Sequence, residues 1–218
     1  MNQAPHSRKR RAFLGLAALG AVLPALQGCF GLAVGGATVG VLAIADRRSI
    51  GVQTDDQTIE LKALARLSKD LKEKSHINFT SYNRRVLLTG EVPDETTKAR
   101  VQEEVRRIEN VEAVWNELVI AGNSTLTSRS NDSYITSLVK ARFVDANQFH
   151  ANHVKVVTEA GTVFLLGIVN NHEAEAAIRV ARFTQGVRKV VNVMQISTDE
   201  EINRIDASLA NSADSGTR

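Results

Sequence analysis

The sequence predicts an α+β protein of two tandem αββαβ modules, each a three-stranded mixed sheet with two helices packed on one face. Three observations carry this. Val86 to Val92 repeats as Val163 to Val169 at an offset of 77 residues, and His76-Ile77 repeats as His153-Val154 at the same offset. With one residue deleted, Val111 to Asn116 falls on Val187 to Asn192, and Asp56-x-x-Ile59 falls on Asp132-x-x-Ile135. Within each copy, helical and alternating periodicities follow one another in the same order.

Each element has a local reason. Leu61, Leu64, Leu67 and Leu71 form a stripe that predicts an amphipathic first helix in copy one. Strand patterns follow over residues 77–82 and 85–90 with Asn83-Arg84 at the tip, and in copy two over 154–158 and 162–167 with Ala160-Gly161 at the tip. The second helix carries Val101, Val105 and Ile108, or Ala174, Ala177, Ile178 and Ala181, and strands over 113–120 and 189–196 close the units. Helices gathered on one face of a small sheet make a two-layer sandwich, and each copy is small but within the range that folds alone. Gly90 and Gly167 recur at one place and predict a strand position that a helix approaches closely. Trp115 is replaced by Val191 in the other copy and predicts a sheet residue facing either the core or the sister module.

The predicted segments are residues 1–28, an export signal; 29–54, a lipidated cysteine and apolar linker; 55–122 and 131–198, the two modules; 123–130, a linker; and 199–218, a polar tail, frayed or a short helix. Arg8, Lys9, Arg10 and Arg11 precede an apolar run from Ala12 to Leu26, and Leu26-Gln27-Gly28-Cys29 ends it. That is the basic, apolar and small-residue order of an export signal, too short for a comfortable membrane span. Cys29, the one cysteine, stands where a bacterial lipobox is acylated, and Phe30, not Asp, follows it. Arg10 to Leu14 is similar to a twin-arginine signal, and an arginine-rich general secretory leader reads the same way, so both routes stay open. The glycine-rich run from Phe30 to Ala45 predicts an apolar linker near the lipid surface.

Charge excludes one class of partner. The formal charge is +3, from 27 Lys and Arg against 24 Asp and Glu, yet four of the bases lie in the leader and no acid precedes Asp46. The folded part is close to neutral, so no nucleic-acid partner is expected. Residues 55–122 hold 11 bases and 13 acids, whereas 131–198 hold 7 bases and 5 acids. Only the second module has the sign that anionic headgroups attract.

The strand end around Gly90 and Gly167, the helix after it, and the Val-x-x-Val-x-Asn strand resemble the BON module of bacterial periplasmic proteins. The order of Leu26 to Cys29, Asp46 to Gly51, Asn131 to Thr136 and Val163 to Gly167 is similar to that of dual BON-domain outer-membrane lipoproteins. The resemblance implies an anchor of acyl chains on the periplasmic face of the outer membrane and binding of anionic phospholipid (phosphatidylglycerol, cardiolipin) by the second module. It also implies enrichment at division sites, a role in envelope integrity, and outer-membrane assembly or division proteins as partners.

The first helix of copy two is where lipid contact is expected. Ile135, Leu138 and Val139 share a face that suits the sheet, while Tyr134, Ala141 and Val144 lie off it with Lys140 on the flank. The predicted contact set is Tyr134, Val139, Lys140, Ala141 and Val144, with Val139 counted in both groups. Apolar atoms enter the acyl boundary while a base meets phosphate. In the family resembled, the position of Tyr134 is held by Trp, and either ring suits an interface.

Enzyme chemistry and cofactors are not expected. An acylated Cys29 leaves no thiol, and no nucleophile elbow, phosphate loop or His-Glu-x-x-His is present. His150, His153 and His172 lack an evident carboxylate partner, so no metal site is expected. The competing reading is a docking adaptor for outer-membrane assembly or cell-wall machinery, with lipid contact incidental.

Overall fold

The computed structural model describes residues 46–215. The leader, Cys29 and the linker up to residue 45 lie outside the described residues, so the export signal and the lipidation site stand as expectations. Among the described residues, no helix is long and apolar enough to cross a membrane.

The first module runs α1 (Ile50–Arg66), α2 (Lys69–Lys74), β1 (His76–Tyr82), β2 (Arg85–Val92), α3 (Glu95–Arg106), β3 (Ala113–Asn116) and β4 (Val119–Ile120). The second runs α4 (Leu126–Ala146), a short 3-10 turn, β5 (Val154–Glu159), β6 (Thr162–Val169), α5 (Asn171–Arg182), β7 (Lys189–Asn192) and β8 (Gln195–Ile196), and α6 (Asp199–Ser215) ends the chain. In each module the first two strands pair antiparallel and the last two pieces lie parallel to the central strand. The repeat thus corresponds to two mixed sheets of one design.

The repeated residues have repeated tasks. The hairpin tips Asn83-Arg84 and Ala160-Gly161 have positive φ at both positions, the turn whose twist matches that of two paired strands. Their backbone N–H groups donate to a buried carboxylate from the module's first helix: Asn83 and Arg84 to Asp56, Ala160 and Gly161 to Asp132. Ile59 and Ile135, three residues on, enter the cores. The asparagine closing Val-x-x-Val-x-Asn interrupts the last strand. Its side-chain oxygen accepts the N–H two residues on (Asn116 from Leu118, Asn192 from Met194), and this turn drops Leu118 and Met194 into their cores.

Two expectations need correction, and one open alternative is decided. Leu61 and Leu64 are 69% and 49% exposed, because α1 starts at Ile50 under a Ser49 cap and stops at Arg66. The leucine stripe crosses the break before α2, so its two halves have different phases, and the buried face of α1 is Asp56, Ile59 and Ala63. Gly90 and Gly167 are not met by a helix. A Cβ at either would collide with the carbonyl oxygen of His76 or His153 at the start of the neighbouring strand, and Gly90 also has φ +109°. Of the two alternatives for the polar tail, the structure has the helix: Asp199–Ser215 forms α6 and buries Ile202.

The two sheets turn their helix-free faces toward each other. Tyr82 and Leu87 of the first module join Phe164, Leu166, Ile168 and Val193 of the second and Ile202 of α6 in one buried cluster, with Trp115 packed against it. Trp115 therefore faces the sister module. Polar ties ring the cluster: Asn78 Nδ2 donates to Glu159 Oε2 at 2.8 Å and Asn83 Nδ2 to Gln195 Oε1 at 2.8 Å.

Two consecutive arginines fasten this arrangement. Arg47 is buried and donates to both oxygens of Glu173 (2.6 and 3.1 Å), to both oxygens of Asp206 and to the Ile168 carbonyl, all in the second module or α6. Arg48 reaches Asp56 at 2.7 Å and lies over the Tyr82 ring at 4.1 Å, both in the first module. Burial alone would raise the Glu173 carboxyl, but hydrogen bonds from His153, Arg47 and the Asn170 N–H hold it down at about 2. Burial pushes the Tyr82 phenol well above its ordinary range.

Candidate functional site

α4 starts under a Thr125 cap, whose hydroxyl accepts the Ser128 N–H, and ends at Asn147 in the left-handed conformation. Its inward face is Asp132, Ile135, Val139 and Phe143. Val139 is 0% exposed and belongs to the core around β5 and β6, so it cannot meet a lipid surface in the folded protein and leaves the contact set. The other four members are outside. Tyr134 is 61% and Val144 66% exposed, and Lys140 and Ala141 are exposed. At 100° per residue, Leu126, Ser130, Tyr134, Ser137, Ala141 and Val144 follow one stripe opposite the core, and no charged residue lies on it.

Phe183, which the sequence reading passed over, extends this surface. It caps the C-terminal end of α5, is 74% exposed, and accepts at its carbonyl a hydrogen bond from Arg142 of α4 at 3.1 Å. That bond ties the C-terminal end of α5 to α4. A signal was present in the repeat: at the one-residue-deleted offset, Phe183 stands where the first module has Arg107, which caps α3 and pairs with Glu103.

The charge on this module is more one-sided at its surface than in its composition. Asp132, Glu159 and Glu173 are buried, leaving Asp145 and Glu175 as its exposed acids against six exposed bases: Lys140, Arg142, Arg179, Arg182, Arg188 and Lys189. None of the six is in an ion pair among the described residues; the first module also has exposed bases without one, among them Lys69, Lys72, Arg100 and Arg106, but there eight exposed acids stand against eight exposed bases. Unpaired bases beside exposed rings can hold phosphate at a surface whose interior is apolar.

The three histidines considered from sequence do not converge. His153 is buried with Nδ1 3.4 Å from Glu173 Oε1, His150 stacks near it with ring centroids 5.1 Å apart, and His172 is exposed.

Both modules match the model of the BON domain, over residues 55–122 and 131–198. The chain belongs to the BON-domain family. The chain is 37% identical to the outer membrane lipoprotein DolP of Haemophilus influenzae over 172 residues, covering 78% of this chain and 89% of that protein. A 21 kDa hemolysin of Actinobacillus pleuropneumoniae is 37% identical over 151 residues, covering 68% and 78%. The osmotically-inducible protein Y of Escherichia coli is 26% identical over 147 residues, covering 66% and 73%. The chain is thus a dual-BON protein of the DolP type, and its second BON module carries the exposed rings and unpaired bases.

Proposed function

We propose that this protein is an outer-membrane lipoprotein, held at the periplasmic face by acyl chains on Cys29, whose second BON module contacts anionic phospholipid. Phosphatidylglycerol and cardiolipin are the headgroups in view, and the role is support of envelope integrity, including at division sites. The reading is of a binding module, not an enzyme. The observation that carries it is the pairing, on the second module, of exposed Tyr134, Val144 and Phe183 with six exposed bases that form no ion pair. Lys140 and Ala141 complete the surface. Each such base near an anionic leaflet contributes about 1 kcal/mol, and a buried aromatic ring about 1.5–3 kcal/mol. Support for the anchor comes from the DolP relative, which is named an outer membrane lipoprotein.

The test is flotation of residues 46–218, without acyl chains, on vesicles with and without phosphatidylglycerol and cardiolipin. Binding is expected to require anionic lipid and to weaken with salt. Tyr134→Ala and Phe183→Ala should each weaken it about tenfold or more, and together abolish it. Equal binding to neutral vesicles, or binding indifferent to both substitutions, would refute the assignment. A second reading rests on the first module, where Ile50, Leu61 and Leu64 are exposed: a docking surface for outer-membrane assembly or cell-wall proteins. Failure of the 46–218 chain to bind any vesicle would favour it.

A further inference from the structure

Where the two modules meet, a histidine and two buried carboxylates converge. His76 and Glu91 are cross-strand partners on β1 and β2, and Glu159 comes from β5 of the other module. His76 Nδ1 lies 3.3 Å from Glu91 Oε2 and 3.9 Å from Glu159 Oε1, and one ligand atom from each residue falls within 4.8 Å of the others. Both glutamates are buried, and no Lys or Arg pairs with either among the described residues. Burial pushes the Glu159 carboxyl up, against the Asn78 hydrogen bond and the His76 charge, with Glu91 pushing it further up. Among the described residues no cation other than the His76 imidazole pairs with the two buried carboxyl groups, and buried charge without a partner is costly.

A second observation points to a missing partner. The Thr89 hydroxyl is buried and has no hydrogen-bond partner. Thr89 is two residues from Glu91 on β2, hence on the same face, and pairs across the hairpin with Asn78, which holds Glu159.

We infer that His76, Glu91 and Glu159 form a divalent transition-metal site of the zinc class that clamps the first module to the second. The donor set decides the class. One imidazole nitrogen with two carboxylate oxygens suits zinc, whereas calcium and magnesium take all-oxygen sets. Zinc bonds of about 2.0–2.2 Å in a tetrahedron separate donor atoms by about 3.3–3.5 Å; the His76–Glu91 spacing of 3.3 Å already matches, while Glu159, 3.9 Å from His76 and within 4.8 Å of Glu91, has to move in by a few tenths of an ångström or more. Asn78 donates to the other oxygen of Glu159, the Ser124 N–H donates to Glu91 Oε2 at 3.1 Å, and the Ser124 hydroxyl lies 3.3 Å from His76 Nδ1, where a bound metal would replace it. Such partners orient ligands and tune affinity. The fourth position is left to water. Nothing in the sequence reveals the site, because its ligands lie in different modules and none is among the three clustered histidines.

The test is equilibrium dialysis and thermal unfolding of the full chain in detergent, with zinc, cobalt, calcium or magnesium chloride. One zinc per chain and a raised Tm are expected, with a cobalt spectrum of tetrahedral type and no competition from excess magnesium or calcium. His76→Gln and Glu159→Gln, each checked for native circular dichroism, should each lower zinc affinity at least tenfold, while His172→Gln leaves it unchanged. Absence of stoichiometric binding, or binding retained in folded His76→Gln and Glu159→Gln, would overturn the inference, the latter by assigning the metal to other histidines.

Discussion

Replacing Arg47 by alanine is expected to cost about 3–5 kcal/mol of stability, because it leaves a carboxylate buried without its counter-ion. Arg47 serves Glu173, Asp206 and the Ile168 carbonyl at once, so one substitution unties the segment before α1 from the second module and from α6. The effect has a pH signature. Glu173 is held at about 2 in the folded protein against about 4.3 in an unfolded chain. A depressed carboxyl contributes stability that is fully present above the unfolded value and disappears as pH falls through the folded value. In Arg47→Ala the carboxyl loses one of the partners that depress it, so that contribution shrinks. The gap between the proteins should be largest near neutral pH and narrow between about pH 5 and pH 2. Urea unfolding of both proteins at several pH values measures it, and a gap that is constant across this range would contradict the assignment to Glu173. Arg47→Met with Glu173→Gln, which removes the charge along with its partner, should cost less than Arg47→Ala.

What the sequence made legible follows from which interactions are local or repeated. Asp56 and Asp132 were visible as a repeated pair, and both hold a hairpin tip, because identical local geometry leaves identical residues in the two copies. The leucine stripe of copy one misled for the opposite reason: Leu61 and Leu64 have the spacing of a helix face, but the α1 to α2 break lies between them and Leu71. Aligning Asp56-x-x-Ile59 on Asp132-x-x-Ile135 already contained the correct phase. Tyr134, Lys140, Ala141 and Val144 were placed outside as expected, since α4 is one long helix whose periodicity is unbroken, and Val139 went to the core with Ile135 by the same periodicity. Asp46 to Gly51 stood out as a motif without a role, since the partners of Arg47 lie more than 120 residues away. Phe183 was hidden as a single residue whose exposure depends on a helix end.

The packing of sheet on sheet was also encoded, in a form easily passed over. Val163 to Leu166 is continuously apolar rather than alternating, the pattern of a strand buried on both faces. Val163 and Leu165 face the helices of their module, while Phe164 and Leu166 face Leu87 and Tyr82 of the other. In the first module the matching outward row is Leu87, Thr89 and Glu91, more polar because it carries the His76 and Glu159 cluster.

Leu87→Asp should therefore open the interface while sparing both cores. The side chain is fully buried between the sheets, and an unpaired charge there falls among the substitutions that cost more than about 4 kcal/mol. Val86 and Leu88, its neighbours on β2, point to the other face and keep their contacts with Ile59, Val101 and Val105. Trp115 is the one tryptophan of the chain and borders the interface cluster, so its emission reads the separation directly. The expected result is a red shift of Trp115 emission with far-ultraviolet circular dichroism largely retained, and two unfolding transitions in urea in place of one. Leu87→Ala, which leaves a cavity but no charge, should cost about 2–5 kcal/mol and keep the modules together. Loss of all secondary structure in Leu87→Asp would instead mean that neither BON module holds its fold without the other. That outcome would make the interface, and with it the Arg47 and Arg48 strap, part of the folding unit and not a contact between two finished ones.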